Sequence, residues 1–179
     1  GRIAPEKQVE KAISTLKSVR QRGYLIRLHI CGKIENDLYG KSIEQLCKEN
    51  SDWIVREGRV SGAKKAHILS QCRFGIHTCA ADAFGISVAA LVPTGAIVFA
   101  PNNGGPTEVH DSPALQFECV DDAADKICAV LASSEKQSAL CAHLTGKAEL
   151  FSAEIFVDSS KAVVKASLNR QFRMGETTK

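Results

Sequence analysis

The 179-residue sequence has no apolar run approaching 18 residues, so no segment of it reads as a membrane-spanning helix. It also has no block of like charge. Its 23 basic and 20 acidic side chains are scattered along the whole length for a formal net charge of +3, a balance that argues against nonspecific nucleic-acid binding. One or two local cations around a small anion would leave no mark on such a total, so net charge neither supports nor excludes a nucleotide site. CxxC pairs are missing as well. Cys31, Cys47, Cys72, Cys79, Cys119, Cys128 and Cys141 stand at none of the spacings that zinc sites use, and no metal site is expected. The thiols read as reduced and mostly buried, with Cys31 at the end of an apolar run and Cys128 on an apolar helix face, which points to a cytoplasmic location. Residues 1–7 are polar and charged, so a signal peptide is not expected either.

What is present suffices for one domain: 44% hydrophobic residues over this length can bury one substantial core. Residues 6–22 carry Val9, Ala12, Ile13, Leu16 and Val19 at helical spacing, with Gly23 placed to end the helix. The run YLIRLHIC at 24–31 predicts a strand covered on both faces. A helix over 38–49, a short strand at 53–55 and a helix capped by Ser61 follow. Next come a strand at 74–77, a helix at 84–91 and the strongest strand, 96–100. After a loop at 102–113 the pattern gives a strand at 115–119, Asp121 as an N-cap, and helices at 123–131, 136–150 and 152–168. The last helix is expected to bury Ile155, Phe156, Val163 and Val164, and a polar tail occupies 169–179.

This alternation implies an α/β fold: a Rossmann-like, doubly wound parallel sheet with helices on both faces, filling residues 1–168. Ligands of such sheets sit beyond the carboxyl ends of the strands, here the loops 1–7, 32–37, 58–63, 78–85 and 102–107. The pattern starts on a loop and helix, so a strand ahead of Gly1, in a longer protein, is expected.

Three clusters in these loops carry chemistry. In GRIAPEK, Arg2 and Lys7 flank a proline turn that opens a helix, where free amides, the helix dipole and a guanidinium fork would cradle a diphosphate. The alternative is a pair of solvated surface charges. In ADAFGIS, Asp82 precedes a helix whose first turn holds Phe84, Gly85 and Ile86, with amides facing the strand ends. Gly85 would let the main chain approach a ligand, and Asp82 could orient sugar hydroxyls or offset charge at an anomeric carbon. Asp82 could equally serve only as the N-cap of its own helix. In NNGGPTE, Gly104 and Gly105 remove side chains where a ligand could press, although a plain turn needs no function. His77 could reach the same crevice, yet a lone histidine at a strand end is more often structural.

Taken in order, GRIAPEK, EGRV at 57–60, DAFGIS, TGAIVFAPNNGGPTE and FSAEIF resemble the C-terminal, donor-binding half of the group 1 (family 4) retaining glycosyltransferases of the GT-B fold. The resemblance implies metal-independent transfer of a sugar from a nucleotide-diphosphate donor, without a cofactor and with retention at the anomeric carbon. It implies that Arg2 and Lys7 bind the diphosphate, that Phe84, Gly85, Ile86 and Ser87 contact the donor's sugar and phosphates, and that Gly58, Arg59 and Val60 lie beside the nucleobase. Asp82 stands at the first of the family's two signature glutamates, one methylene shorter, and takes the catalytic role. Ala90 stands at the second, which holds the ribose, and has no polar atom for that task. The segment AALVPTG also departs from the family pattern, with Pro93 expected to end the helix early. The expected partners are a nucleotide sugar and, through an N-terminal domain outside this sequence, a glycan or lipid-linked sugar acceptor. Nucleic acid is not expected, and membrane contact is expected only through that other domain. Two other classes remain: a noncatalytic nucleotide-sugar-binding or scaffolding module, motivated by Ala90, and a sugar-nucleotide epimerase, whose acidic and histidine residues are not found in the loops.

Overall fold

The computed structural model describes residues 1–34, 37–148 and 153–176. In chain order the elements are α1 (Val9–Gln21), β1 (Leu28–Cys31), α2 (Leu38–Glu49), β2 (Ile54–Gly58), α3 (Gly62–Gln71), β3 (Phe74–Ile76) and α4 (Ile86–Leu91). They continue with β4 (Ile97–Pro101), α5 (Gly105–His110), β5 (Gln116–Phe117), α6 (Val120–Leu131), α7 (Ser134–Ala148) and α8 (Ala153–Glu176). All strand pairs are parallel. β1 pairs with β2, β3–β4–β5 form a second ladder, and among the described residues these sheets are not hydrogen-bonded to one another.

The core explains the order. In β4, the central strand of its sheet, Ile97, Val98, Phe99 and Ala100 are all fully buried, the signature of a parallel strand covered on both faces. The helix α1 buries Ala12, Ile13, Leu16 and Val19 and packs chiefly on α6, whose inner face is Ala123, Ala124, Ile127 and Val130. Stripping Phe99 to Ala would cost about 3–5 kcal/mol at such a site.

Several boundaries differ from the sequence reading, each for a local reason. The first helix is broken at Gln8, whose backbone is left-handed, so that Pro5–Lys7 form a 3-10 turn and α1 begins at Val9. The strand expected over 24–31 shrinks to Leu28–Cys31: the Arg20 guanidinium donates to the Ile26 carbonyl and Ile26 N–H to the Tyr24 carbonyl, which holds that stretch off the sheet and leaves Leu25 exposed. Conversely, β2 runs on to Gly58. Asp121 is not the cap of α6. Cys119 occupies that position, while the Asp122 carboxylate accepts from the Glu118 amide at 2.9 Å. The loop at 102–113 contains the helix α5, and β5 is only two residues long because a 3-10 turn, Pro113–Leu115, precedes it.

Ser61 is the N-cap of α3 by position, without a side-chain hydrogen bond, and Pro93 does stand just beyond α4, in the turn Val92–Thr94. The last helix extends to Glu176 rather than ending at Leu168, and Ile155, Val163 and Val164 on it are exposed rather than buried. Leu150, Ser152 and the side chain of Phe156 lie outside the described residues. Only Cys47 and Cys79 of the seven cysteines are buried; Cys119 is exposed and all seven are free thiols.

Candidate functional site

The loops at the carboxyl ends of the strands are tied into one rim by hydrogen bonds from backbone and side chains. Ile3 N–H donates to Lys33 O at 3.2 Å and Gly32 N–H to Gly58 O at 2.8 Å, joining the 1–7 segment to the ends of β1 and β2. Thr78 Oγ1 donates to Lys7 O at 2.7 Å, carrying the connection to the loop after β3. Gly105 N–H donates to Asp82 O at 3.0 Å and Asn103 Nδ2 to Ala80 O at 2.9 Å, which closes the rim at the end of β4. Of the loop 32–37, Glu35 and Asn36 lie outside the described residues.

Asp82 is the hub. Its Oδ1 accepts from the amides of Gly85, at 2.8 Å, and Phe84, at 3.3 Å, while Oδ2 accepts from the Lys7 ammonium at 3.1 Å. The imidazole of His77 also faces it, with Nε2 3.6 Å from Oδ2, and on its other side His77 Nδ1 lies 3.0 Å from Ser87 Oγ. Lys7, His77, Asp82, Phe84, Gly85 and Ser87 therefore form one connected group.

The electrostatics follow from this packing. Burial works to raise the Asp82 pKa, but the Gly85 amide, the Lys7 ammonium and the Phe84 amide outweigh it and hold the carboxyl below its usual value. Burial works to lower the Lys7 pKa, and the hydrogen bond and charge of Asp82 overturn that, leaving it raised. His77 is shifted down, first by burial, against the pull of Asp82 and with the push of Lys7. The resting group is an ammonium and a carboxylate beside a neutral imidazole.

This geometry revises several sequence expectations. The amides of Phe84 and Gly85 do not stand open at the strand ends; the Asp82 carboxylate takes them, and the N-cap of α4 is Gly85 rather than Asp82. Nor does the start of α1 offer a bare cradle next to Lys7: Tyr39 Oη accepts from the Val9 amide at 2.9 Å and donates to Glu10 at 2.6 Å. Burial and that carboxylate push the Tyr39 hydroxyl up to about 12, so it remains protonated at any ordinary pH. Arg2 is exposed and paired with Glu6 one turn on.

The glycines are used by the protein itself. A Cβ on Gly104 would lie 2.5 Å from the Asp82 carbonyl, and one on Gly105 would lie 2.4 Å from the Ala83 carbonyl, so the loops after β3 and β4 interlock at backbone contact. A Cβ on Gly85, whose φ is +80°, would meet the Pro106 ring. Those spaces hold protein rather than a ligand.

Phe84 and Ile86 are exposed on the rim, Arg59 is exposed and Val60 half-buried just past β2, and Ala90 is half-buried on α4. His77, expected to be structural, and Cys79, which is 3% exposed, also lie beside Asp82. The pattern His-x-Cys-x-x-Asp leaving a strand brings them together, whereas cysteine-to-cysteine spacings alone gave no expectation of a metal site. Among the described residues, His77, Cys79 and Asp82 are the group whose donor atoms lie within 4.8 Å of one another.

The family model described as "Glycosyl transferases group 1" matches residues 1–146. The chain belongs to the group 1 glycosyltransferases. The "GDP-Man:Man(3)GlcNAc(2)-PP-Dol alpha-1,2-mannosyltransferase" of Dictyostelium discoideum is 26% identical over 94% of this chain, which spans 36% of that protein. Among solved structures, Anabaena HepE in complex with UDP and glucose superposes with a TM-score of 0.77 at 17% identity, over 93% of this chain and 47% of that one. The pneumococcal O-GlcNAc transferase GtfA, in complex with UDP and GlcNAc, gives 0.76 at 16% identity, over 93% and 34%. This glycosyltransferase chain thus has the α/β fold found in GT-B enzymes and spans about a third to a half of the length of these relatives. No helix among its described residues is long and apolar enough to cross a membrane.

Proposed function

We propose that this chain is the donor-binding half of a retaining glycosyltransferase and holds a nucleotide-diphosphate sugar at the rim centred on Asp82. The observation that carries the reading is the clustering of the Lys7 ammonium, the Asp82 carboxylate and the Phe84–Gly85 turn at the ends of β3 and β4, in a chain that matches the family over residues 1–146. An ammonium has three donors and Asp82 uses one, which leaves Lys7 able to reach a phosphate oxygen without abandoning its partner. Arg2, exposed and paired only within its own turn, can swing from Glu6 to the second phosphate at small cost.

In this reading Phe84, Ile86 and Ser87 border the sugar and the phosphates, Gly58, Arg59 and Val60 the base, and Asp82 offsets positive charge as the anomeric bond breaks. The half-buried Ala90 gives the ribose no charged partner, a loss of about 1.5–3 kcal/mol, or ten- to a hundredfold in affinity, unless a neighbour supplies one. Transfer to a glycan or lipid-linked acceptor requires the N-terminal domain of a longer protein, which also carries any membrane contact, and takes place in the cytoplasm. The isolated chain binds donor without turnover and needs no metal or cofactor for the transfer.

The test is a panel of GDP-mannose, UDP-glucose and UDP-N-acetylglucosamine read by ligand-induced thermal shift. A ligand at 100 times its Kd adds about 2.7 kcal/mol of stability, about 5–10 °C for a chain of this size. If no nucleotide sugar and no nucleoside diphosphate moves the transition, the reading is wrong. Ala90 favours a second reading, a noncatalytic module descended from such enzymes. Sugar transfer by the full-length parent with Ala90 in place would exclude it, whereas activity appearing only in Ala90→Glu would establish it.

A further inference from the structure

We propose that His77, Cys79 and Asp82 form a three-ligand site for a borderline-soft divalent cation of the Zn2+ type. The ligands come from one loop of six residues, and their donor atoms lie within 4.8 Å of one another. The second observation is independent of that spacing. His77 is 8% exposed, and its Nε2 is buried without a hydrogen-bond partner while lying 3.6 Å from Asp82 Oδ2. A buried ring nitrogen left bare in this way costs free energy unless something occupies its lone pair.

The surroundings suit a metal-binding histidine. Ser87 Oγ, 3.0 Å from Nδ1, can accept a hydrogen bond from Nδ1–H, the tautomer that leaves the lone pair on Nε2, on the side of Asp82. Asp82 Oδ1 is held by the two amides, so Oδ2 is the oxygen turned toward His77. The loop itself is fixed from both sides by the bonds from Asn103 to the Ala80 carbonyl and from Gly105 to the Asp82 carbonyl. Zinc bonds of about 2.0–2.3 Å in a tetrahedron separate ligand atoms by about 3.3–3.8 Å, so the three groups need close by only about 1 Å. A mixed nitrogen, sulfur and oxygen set selects zinc-like ions over Mg2+ and Ca2+, which prefer oxygen alone. Three protein ligands leave a fourth position open.

Lys7 is the competitor. Its ammonium sits 3.1 Å from the oxygen that the cation needs, so binding drives Lys7 away from Asp82. The site does not rest on the donor reading, because it needs no nucleotide and its test uses none.

The experiment titrates Co2+ into the reduced full chain and follows visible absorption, in which thiolate-to-cobalt charge transfer and the intensity of the ligand-field bands report sulfur ligation and tetrahedral geometry. One equivalent of Co2+ is expected to produce both features, and Zn2+ to bleach them. Cys79→Ser should abolish the charge-transfer band, whereas Cys119→Ser, at the exposed cysteine, should leave it intact. Ser87→Ala should weaken binding by about tenfold through the loosened imidazole. Lys7→Met should tighten it by about tenfold, a gain that misfolding cannot mimic. A wild-type spectrum without charge transfer, a spectrum unchanged by Cys79→Ser, or weaker binding in Lys7→Met would each overturn the site.

Discussion

His110 lies in the core at 0% exposure, at the end of α5, with neither ring nitrogen bonded to a partner. Burial drives its pKa down from 6.5 to about 4; Asp111 opposes the shift, and His77, His143 and Lys147 add to it. The folded state thus holds His110 neutral where the unfolded chain is already protonated. Between these two values the unfolded state binds more protons, so stability rises with pH across the window and is lost as the pH falls from about 6.5 toward 4. The slope approaches about 1.4 kcal/mol per pH unit, and integration gives a loss of about 2 kcal/mol at pH 5 and about 3 kcal/mol in full.

Replacing the ring in His110→Leu removes two unpaired nitrogens and the titration together, while the backbone carbonyl that accepts from His143 Nε2 at 2.9 Å remains. The variant should be at least as stable as the parent at pH 7.5, by up to about 1–3 kcal/mol, since the cost of an unsatisfied buried group disappears. Urea unfolding at pH 7.5, 6.5, 5.5 and 5.0 measures both terms. The parent should lose about 2 kcal/mol more than the variant over that range. His77 is also shifted down by burial, so the variant retains part of the acid sensitivity. Parallel stability curves for the two proteins would show that His110 is either hydrated or already paired in solution, and the reasoning would fail.

Lys7→Met should weaken nucleoside diphosphate binding by ten- to a hundredfold in low-salt calorimetry, the worth of a charge-assisted contact. Asp82→Asn should do the opposite to the same ligand. It retains an acceptor for the Phe84 and Gly85 amides but frees Lys7 from its counter-charge, so UDP or GDP should bind about fivefold tighter while sugar transfer by the full-length parent collapses. Gly105→Ala places a methyl 2.4 Å from the backbone of Ala83 and Phe84 and should cost about 3 kcal/mol by thermal unfolding, with loss of donor binding as the Asp82 loop shifts. Gly146→Ala, inside α7 with nothing within 4 Å of the added carbon, should gain about 0.5–1 kcal/mol instead.

Much of the fold was legible because it rests on periodicity. The 3.6-residue spacing of α1 and the unbroken apolar run of β4 survive in the structure as a buried stripe and a buried strand. The failures occur where tertiary contacts decide. β-Formers at Tyr24 and Ile26 could not announce that Arg20 would anchor the Ile26 carbonyl outside the sheet. The glycine-rich signal at 102–105 read as a turn, and the six-residue helix behind it lacks the length to show a period. The exposure of Ile155, Val163 and Val164 could not be read either, because an apolar stripe records that a face is suited to burial and says nothing of what covers it. The expectation of a strand ahead of Gly1 concerns residues outside this sequence.

The candidate residues were legible as a list but not as a circuit. Spacing placed Arg2, Lys7, Asp82 and the Phe84 turn at one rim, and it treated them as open groups awaiting an anion. The structure instead pairs each cation with a carboxylate and spends two amides on Asp82 Oδ1. A diphosphate entering such a site gains only the difference between its own contacts and those it replaces, because each group is already partly satisfied. That difference is largest at Lys7, which can bond phosphate and Asp82 together, and smallest at the amides, which would have to release the carboxylate first. On the proposed reading, donor affinity turns on how readily Asp82 yields, since the one carboxylate holds Lys7, takes both amides and faces His77.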